Sequence, residues 1–561
     1  MSNLPHGRLL ALSALIGALM IALLAACAQN PPTPTPVPTV PPTPSPTPLP
    51  RGGNLTIRLA EDVTTLQPWH PASRGAEQIS GLLYSGLMRL DATLQPQPDL
   101  AESWQASADG RLITFTLRSG LSWHDDRPLT AEDVEYTIEA LQAISPTTAL
   151  LFELRRIEEV TALDPQTVVL RLNERHAPIF SMLTVPILPR HLLIGRDIAT
   201  LNFWDVPIGS GPFQFEDRTI GASVSLRANR LFHRGEPLLE RVAFVLAPDD
   251  EVAAEALRDG RLLLAELPPQ PVESADLQYG DFAENGYYFL ALNTRPGRLF
   301  ADLRVRRALA LAVDLPALVA AATDGAGSAI GNSALPGSWA DLQPVPTATL
   351  DLDAAQLLLD EAGWKILDGE RIRRQGDTPL ATTLYVRGDD PRRIRAAEAI
   401  AAAAAAIGMQ IDVQQADFET TIRALAAPPY DFDLLLASWV NGVGDPAYGD
   451  YAYYDPDDFN LFHSSQVNQG VADLRATLNI VGFADASYDN QSLAARQLYD
   501  PVERRRAIGV AQERLASQLP YLFLWADQVA VVAAPHLTTL DGPLDLDTPW
   551  YLWNIERWHL R

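Results

Sequence analysis

The chain has 561 residues, 47% of them hydrophobic and 20% charged, an ordinary globular balance long enough for two or three domains. Its formal net charge of −26 disfavours nucleic acid, because phosphate contacts need clustered Lys and Arg, and it repels an anionic membrane surface unless an anchor intervenes. The one cysteine, Cys27, excludes an intramolecular disulfide.

Taken in order, the chain starts with Arg8, an apolar run from Leu9 to Leu24, and the small pair Ala25-Ala26 before Cys27. A positive n-region, an apolar h-region and small residues before the cut describe a secretory signal. Leu24-Ala25-Ala26-Cys27 resembles a bacterial lipobox. That resemblance implies that residues 1–27 are a lipoprotein signal peptide and that Cys27 is lipidated as the mature N-terminus. The alternative is an uncleaved transmembrane anchor, for which the run is short. Both readings put the remainder outside the cytoplasm. Residues 28–50 read as a linker whose core is PPTPTPVPTVPPTPSPTPLP. Alternating Pro and Thr forms neither helix nor ladder, so polyproline II is expected, at about 3.1 Å per residue and up to roughly 60 Å of reach. A glycosylated stalk is the alternative.

Folded protein is expected from Arg51 onward. Leu55, Ile57 and Leu59 alternate as a strand, followed by the loop TTLQPWHPAS. Asp109-Gly110 is a hairpin pair, and Ile113, Phe115 and Leu117 form the apolar face of the strand after it. Thr130 reads as a helix N-cap, with Asp133 completing a capping box. Val134, Ile138 and Leu141 share one face of that helix. His124-Asp125-Asp126 reads as a surface turn. The glycines of PIGSGPF, Gly209 and Gly211, are expected to allow positive φ and close backbone approach. Further strands are expected at residues 167–172, 242–245, 285–294, 409–413 and 432–439. Helices are expected at 251–259, 396–406 and 500–518. No repeat of fixed period is present.

The segments LAESW, DGRLITFTLRSGLSWHD and PLTAEDV resemble the signature of family-five solute-binding proteins, the oligopeptide-, dipeptide- and nickel-binding subunits of ABC importers. PILPRH, PIGSGPF, LRVRRALALAVD and FHSS resemble further family segments, the third implying a helix over 303–313 that ends at Asp314, so the likeness covers about residues 51–561. It implies an α/β, two-lobed periplasmic-binding-protein-like fold of the hinge-closing class II, with an extra inserted domain. Mapped here, lobe I takes 51–88, 204–285 and 517–561, the inserted domain II takes 89–203, and lobe III takes 286–516.

Motifs for catalysis are lacking: the sequence holds no GxSxG, HExxH or Walker A pattern, and its nine histidines lack ligand spacing. No enzyme activity, cofactor or metal is expected. Binding is the expected role, with aromatic walls and a few placed polar groups around a buried solute. Two loops directly after strands are the candidates. The first holds Trp69, His70 and Ser73; the second, Ser438 to Pro446, holds Trp439, Asn441, Gly442 and Asp445, with Tyr448 just beyond. The second resembles the family pattern W-x-x-D-x-x-D-P. In peptide binders of the family the first acid of that pattern holds the peptide ammonium. Here that position is Gly442, while Asp445-Pro446 is retained. A buried ammonium needs a carboxylate, so either Asp445 or an acid across the cleft serves, or the ligand has no free amine there. Asn441 suits an amide or a sugar hydroxyl.

The resemblance thus implies a lipid-anchored extracytoplasmic protein that captures a solute and delivers it to permease subunits with a separate ATPase. Peptide leads as ligand class, then oligosaccharide, then nickel or a metal chelate. A lipid-anchored sensor or adhesin is the alternative of a different class.

Overall fold

The computed structural model describes residues 50–69, 73–144, 151, 153–269, 276–342, 348–440, 455–467 and 478–561. Its backbone is one twelve-stranded mixed sheet and a separate four-stranded antiparallel sheet, with three two-stranded ribbons, among the described residues.

The large sheet is two half-sheets joined by a crossing. In the first half, Asn54–Leu59 lies parallel to both Arg241–Leu246 and Leu264–Leu267. Ser223–Ala228 and Phe213–Thr219 extend it antiparallel. Leu55, Ile57 and Leu59 are all buried, as their alternation requires. Helix Asp250–Arg258 links two of the parallel strands, a βαβ crossover. In the second half, Ala381–Arg387 lies parallel to both Gln410–Ala416 and Leu434–Val440. The alanine-rich helix Pro391–Ala406 makes the crossover, its N-terminus set by Asp390, which accepts from Arg392 N, and by Pro391 in the first turn.

Two long antiparallel runs make the crossing. Gln278–Ala283 and Gly286–Leu292 form one, interrupted at Glu284-Asn285, and the thirteen-residue strand Tyr521–Ala533 forms the other. The far part of the latter pairs with Leu264–Leu267 of the first half, the near part with Gly286–Leu292 of the second. Side chains of the crossing alternate between two cores. Tyr287, Phe289 and Ala291 enter one, while Tyr288, Leu290 and Leu292 enter the other, the period-two signature of a strand buried on both faces.

The four-stranded sheet has the order Ala101–Ala106, Leu112–Leu117, Thr167–Leu172, Ile157–Asp164. Gly110 takes φ 72° in its hairpin. Thr130 N donates to the Asp133 carboxylate at 2.9 Å, and Val134, Ile138 and Leu141 are fully buried.

Several expectations change. The strands Tyr521–Ala533 and Gln278–Ala283 were not anticipated from the sequence. Asp314 does not end a helix. It caps the next one, Leu315–Thr323, by accepting from Ala317 N at 3.2 Å. Gly209 and Gly211 are absent from the positive-φ glycines; a Cβ there would meet Leu83 O at 1.9 Å and Leu82 O at 2.4 Å, so close approach alone explains them. The turn at His124-Asp125-Asp126 forms, with Asp126 N donating to Trp123 O at 3.0 Å, but the His124 side chain is not at the surface. It is buried against that glycine loop, accepting from Gly209 N at 3.2 Å and donating to Gly211 O at 3.1 Å. Burial pushes its imidazole down to about 4, so it works as a neutral bridge. Asp125 and Asp126 do stay exposed.

Candidate functional site

In each half-sheet one of the parallel strands lies against the crossing and ends beside it. Leu267, the last residue of its strand, is opposite Ala530, three residues from Asp527. Val440, the last residue of its strand, is opposite Gly286, next to Asn285. The carboxyl ends of strands from two opposed α/β units therefore face one another across Glu284-Asn285 and Asp527, the crevice in which such sheets bind ligands.

Polar groups from both halves gather there. Arg74 opens helix Arg74–Leu83, which follows the first strand, and its guanidinium meets Glu266 at 3.1 Å and Glu77 at 2.8 Å. Gln78 and Tyr551 add bonds of 2.8 and 3.0 Å to Glu266. From the other half, Arg392 donates to Asp527 at 2.8 Å and to the Tyr288 hydroxyl at 2.8 Å. Trp525 Nε1 donates to Asp527 at 3.1 Å, and the Trp525 ring stacks on Tyr288 with centroids 4.3 Å apart. Burial, with Asp527 adding to it, pushes the Tyr288 hydroxyl up to about 12, so it remains a donor at neutral pH.

Glu284 is the exception among these acids. Its backbone N–H bonds Asp527 O at 2.8 Å, but among the described residues its carboxylate makes no hydrogen bond or ion pair. The side chain is open to solvent. Protein walls standing around the crevice desolvate it all the same, and with Asp527 and Glu266 nearby its carboxyl is lifted to about 7.

The two candidate loops follow Asn54–Leu59 and Leu434–Val440 in the chain, strands of opposite half-sheets. Their side chains fare differently. Trp69 is 3% exposed and packs edge-on against Trp204 at 4.8 Å. Trp439 is 4% exposed and stacks on Phe289 at 5.8 Å. Ser73 caps the helix that carries Arg74, its Oγ accepting from Ala76 N at 3.2 Å. His70, Asn441, Gly442, Asp445 and Tyr448 lie outside the described residues, as do Cys27 and the Pro/Thr segment as far as residue 49. Sequence reasoning missed Arg74, Glu266, Glu284, Arg392 and Asp527. Each is an isolated charge with no motif around it, and only the pairing of the crossing strands brings them together.

A second polar cluster joins the four-stranded-sheet region to the segments after the second half-sheet. Glu153 pairs with His176 at 3.0 Å and Arg156 at 2.5 Å, with Arg496 at 3.9 Å. Arg496 also pairs with Asp457 at 2.5 Å, and Arg504 with Asp455 at 2.7 Å. Ser181 Oγ donates to Asp455 at 3.1 Å, and Ala177 N to Arg496 O at 2.6 Å. Burial alone would raise the Glu153 carboxyl, but His176, Arg156 and Arg496 hold it far below the usual carboxylate range. Among the described residues no group of His, Cys, Asp and Glu is placed to hold a metal, and no helix is long and apolar enough to cross a membrane.

Comparison with known proteins agrees with this architecture. Residues 95–460 match the model of the bacterial extracellular solute-binding proteins, family 5 middle region. The chain is 31% identical to protein XP55 of Streptomyces lividans, over 84% of this chain and 83% of that one. It is 25% identical to the oligopeptide-binding protein AppA of Bacillus subtilis, covering 91% and 92% of the two chains. The structure of that AppA in complex with a nonapeptide superposes with a TM-score of 0.63, covering 91% of this chain and 99% of that one. HbpA2 of Haemophilus parasuis, 22% identical, superposes with a TM-score of 0.73, covering 91% and 100%. These likenesses make the fold a two-lobed periplasmic-binding-protein fold.

Proposed function

The chain belongs to the bacterial extracellular solute-binding proteins of family 5, and we propose that it captures a peptide in the crevice at the crossing and delivers it to the permease of an ABC importer. The observation that carries this reading is the convergence of strand carboxyl ends from two opposed half-sheets on a two-stranded crossing. A joint of two strands lets the halves rotate, and a solute favours the closed form only through contacts that both halves make. Peptide as the class is supported by AppA, a relative named as an oligopeptide-binding protein. The wall residues in this reading are Trp69, His70 and Ser73 from one half, with Trp439, Asn441, Asp445 and Tyr448 from the other. The lobes take the boundaries given above, with 89–203 inserted. Cys27, lipidated, holds the protein on the outer face of the cell membrane, and the Pro/Thr segment is its tether. Permease and ATPase are separate chains.

Gly442 favours one second reading. Without an acid at that position the loop suits a neutral ligand such as an oligosaccharide, bonded by Asn441 and flanked by Tyr448. A thermal-shift panel separates the two. It contains free-amine peptides, the same peptides N-acetylated, oligosaccharides and nickel. A ligand at about a hundred times its Kd adds roughly 2.7 kcal/mol, a readily visible shift. Stabilisation by peptides supports the first reading; stabilisation by sugars alone overturns it. Metabolic labelling with palmitate, lost in Cys27→Ala, tests the anchor.

A further inference from the structure

Among the described residues, one carboxyl at the crossing has no hydrogen-bond or ion-pair partner. Three carboxylates meet there: Glu266 and Asp527 on strands Leu264–Leu267 and Tyr521–Ala533, and Glu284 between Gln278–Ala283 and Gly286–Leu292. Two guanidiniums face them, Arg74 from the helix of the first half and Arg392 from the helix of the second. Glu266 is taken up by Arg74, Gln78 and Tyr551, and Asp527 by Arg392, Tyr288 and Trp525. Arg74 is further shared with Glu77. Glu284 is left over, open to the crevice.

Resting on the peptide reading, we propose that Glu284 is the ligand-binding acid of this crevice, holding the ammonium of a free-amine peptide in place of the acid that Gly442 lacks. Such an acid does not sit on either candidate loop. It sits on the crossing itself, between the two guanidiniums, where a solute gripped by both halves must lie. The arrangement explains how a loop carrying Gly442 and a cationic ligand coexist: the counter-charge comes from the crossing strand. Because the walls and the two neighbouring acids hold Glu284 partly protonated near neutral pH, an arriving cation displaces its proton. The affinity for free-amine peptides therefore rises with pH across the range in which Glu284 ionises, while that for N-acetylated peptides does not.

The test is equilibrium binding of pools of two- to nine-residue peptides, free or N-acetylated, to the full chain and to Glu284→Gln and Glu284→Asp. At pH 7 the wild type binds free peptides at least about tenfold more tightly than acetylated ones, and Glu284→Gln abolishes the difference without weakening the acetylated pool. Glu284→Asp restores part of it. Between pH 5.5 and pH 7 the wild type gains about tenfold for free peptides, and Glu284→Gln gains nothing. Unliganded melting temperatures of all three proteins confirm that the variants fold. If Glu284→Gln keeps the preference for free amines, the inference is overturned and the peptide reading stands. If neither pool binds the wild type, the peptide reading falls and the inference with it.

Discussion

Carboxylates meet arginines in two regions of this molecule, and the outcomes are opposite. At the seam beside the four-stranded sheet, Glu153 is shared among His176, Arg156 and Arg496, and its carboxyl is driven far down. At the crossing, Glu284 is beside Asp527 and Glu266 without a hydrogen-bond or ion-pair partner among the described residues, and its carboxyl rises to about 7. Desolvation acts on both; what differs is whether a cation is placed to answer it. A seam whose charges are mutually satisfied needs nothing from a solute and holds its segments together. A crossing with one acid to spare is where a solute's charge is wanted.

The sharpest way to break the comparison is to remove the seam's acid. Glu153→Gln takes the shared counter-ion from His176 and Arg156, while Arg496 keeps Asp457, and is expected to cost about 3–5 kcal/mol, read as a lower denaturant midpoint. It should leave the ratio of free to acetylated peptide affinity unchanged, because it does not touch the crossing.

Titration gives the next largest effect. The Glu153 carboxyl is depressed in the fold, so its stabilisation is present above the ordinary value of 4.5 and is lost as pH falls below it. Asp458, buried beside Asp455 and Asp457 and hydrogen-bonded by Ser333, behaves the other way, because burial above all lifts its carboxyl to about 7. The stability it contributes is present at low pH and is lost as pH rises toward and through 7. Asp458→Asn should therefore gain on the wild type, by about 3 kcal/mol, between pH 5 and pH 8, as urea unfolding at the two pH values would show.

Arg392→Gln tests the crossing from the opposite side. It removes the bonds to Asp527 and Tyr288 and is expected to cost about 1–2 kcal/mol, since this side chain is 34% exposed. It also takes a positive charge from beside Glu284, so it should shift the pH at which free-amine affinity rises to higher values. The smallest effect belongs to Ser181→Ala. It deletes one 3.1 Å bond to Asp455, which Arg504 still answers, for about 1 kcal/mol or less in thermal unfolding.

Local patterns carried much of the fold. The alternation of Leu55, Ile57 and Leu59, the Asp109-Gly110 turn, the Thr130–Asp133 box and the alanine run before Ile407 each specify their element within a few residues. What stayed hidden depends on distant partners. Gln278–Ala283, sequence QYGDFA, has a glycine and an aspartate where a strand wants β-branched residues, and it is a strand because Tyr521–Ala533 pairs with it. The strands that precede the two candidate loops were legible, and they belong to opposite half-sheets. Glu284 carried no signal, because an acid's lack of a partner is a property of the assembled crossing and not of its neighbours in sequence.

Hydrogen exchange of the full chain, with and without the free-amine peptide pool, tests most directly the claim that a solute is gripped from both halves at the crossing. The account predicts slowed exchange on both sides of it: around Arg74 and Leu267 in the first half, around Arg387 to Arg392 in the second, and at Glu284 to Tyr288 and Trp525 to Gln528 between them. Slowing confined to one half, or falling elsewhere while the peptide demonstrably binds, would contradict it.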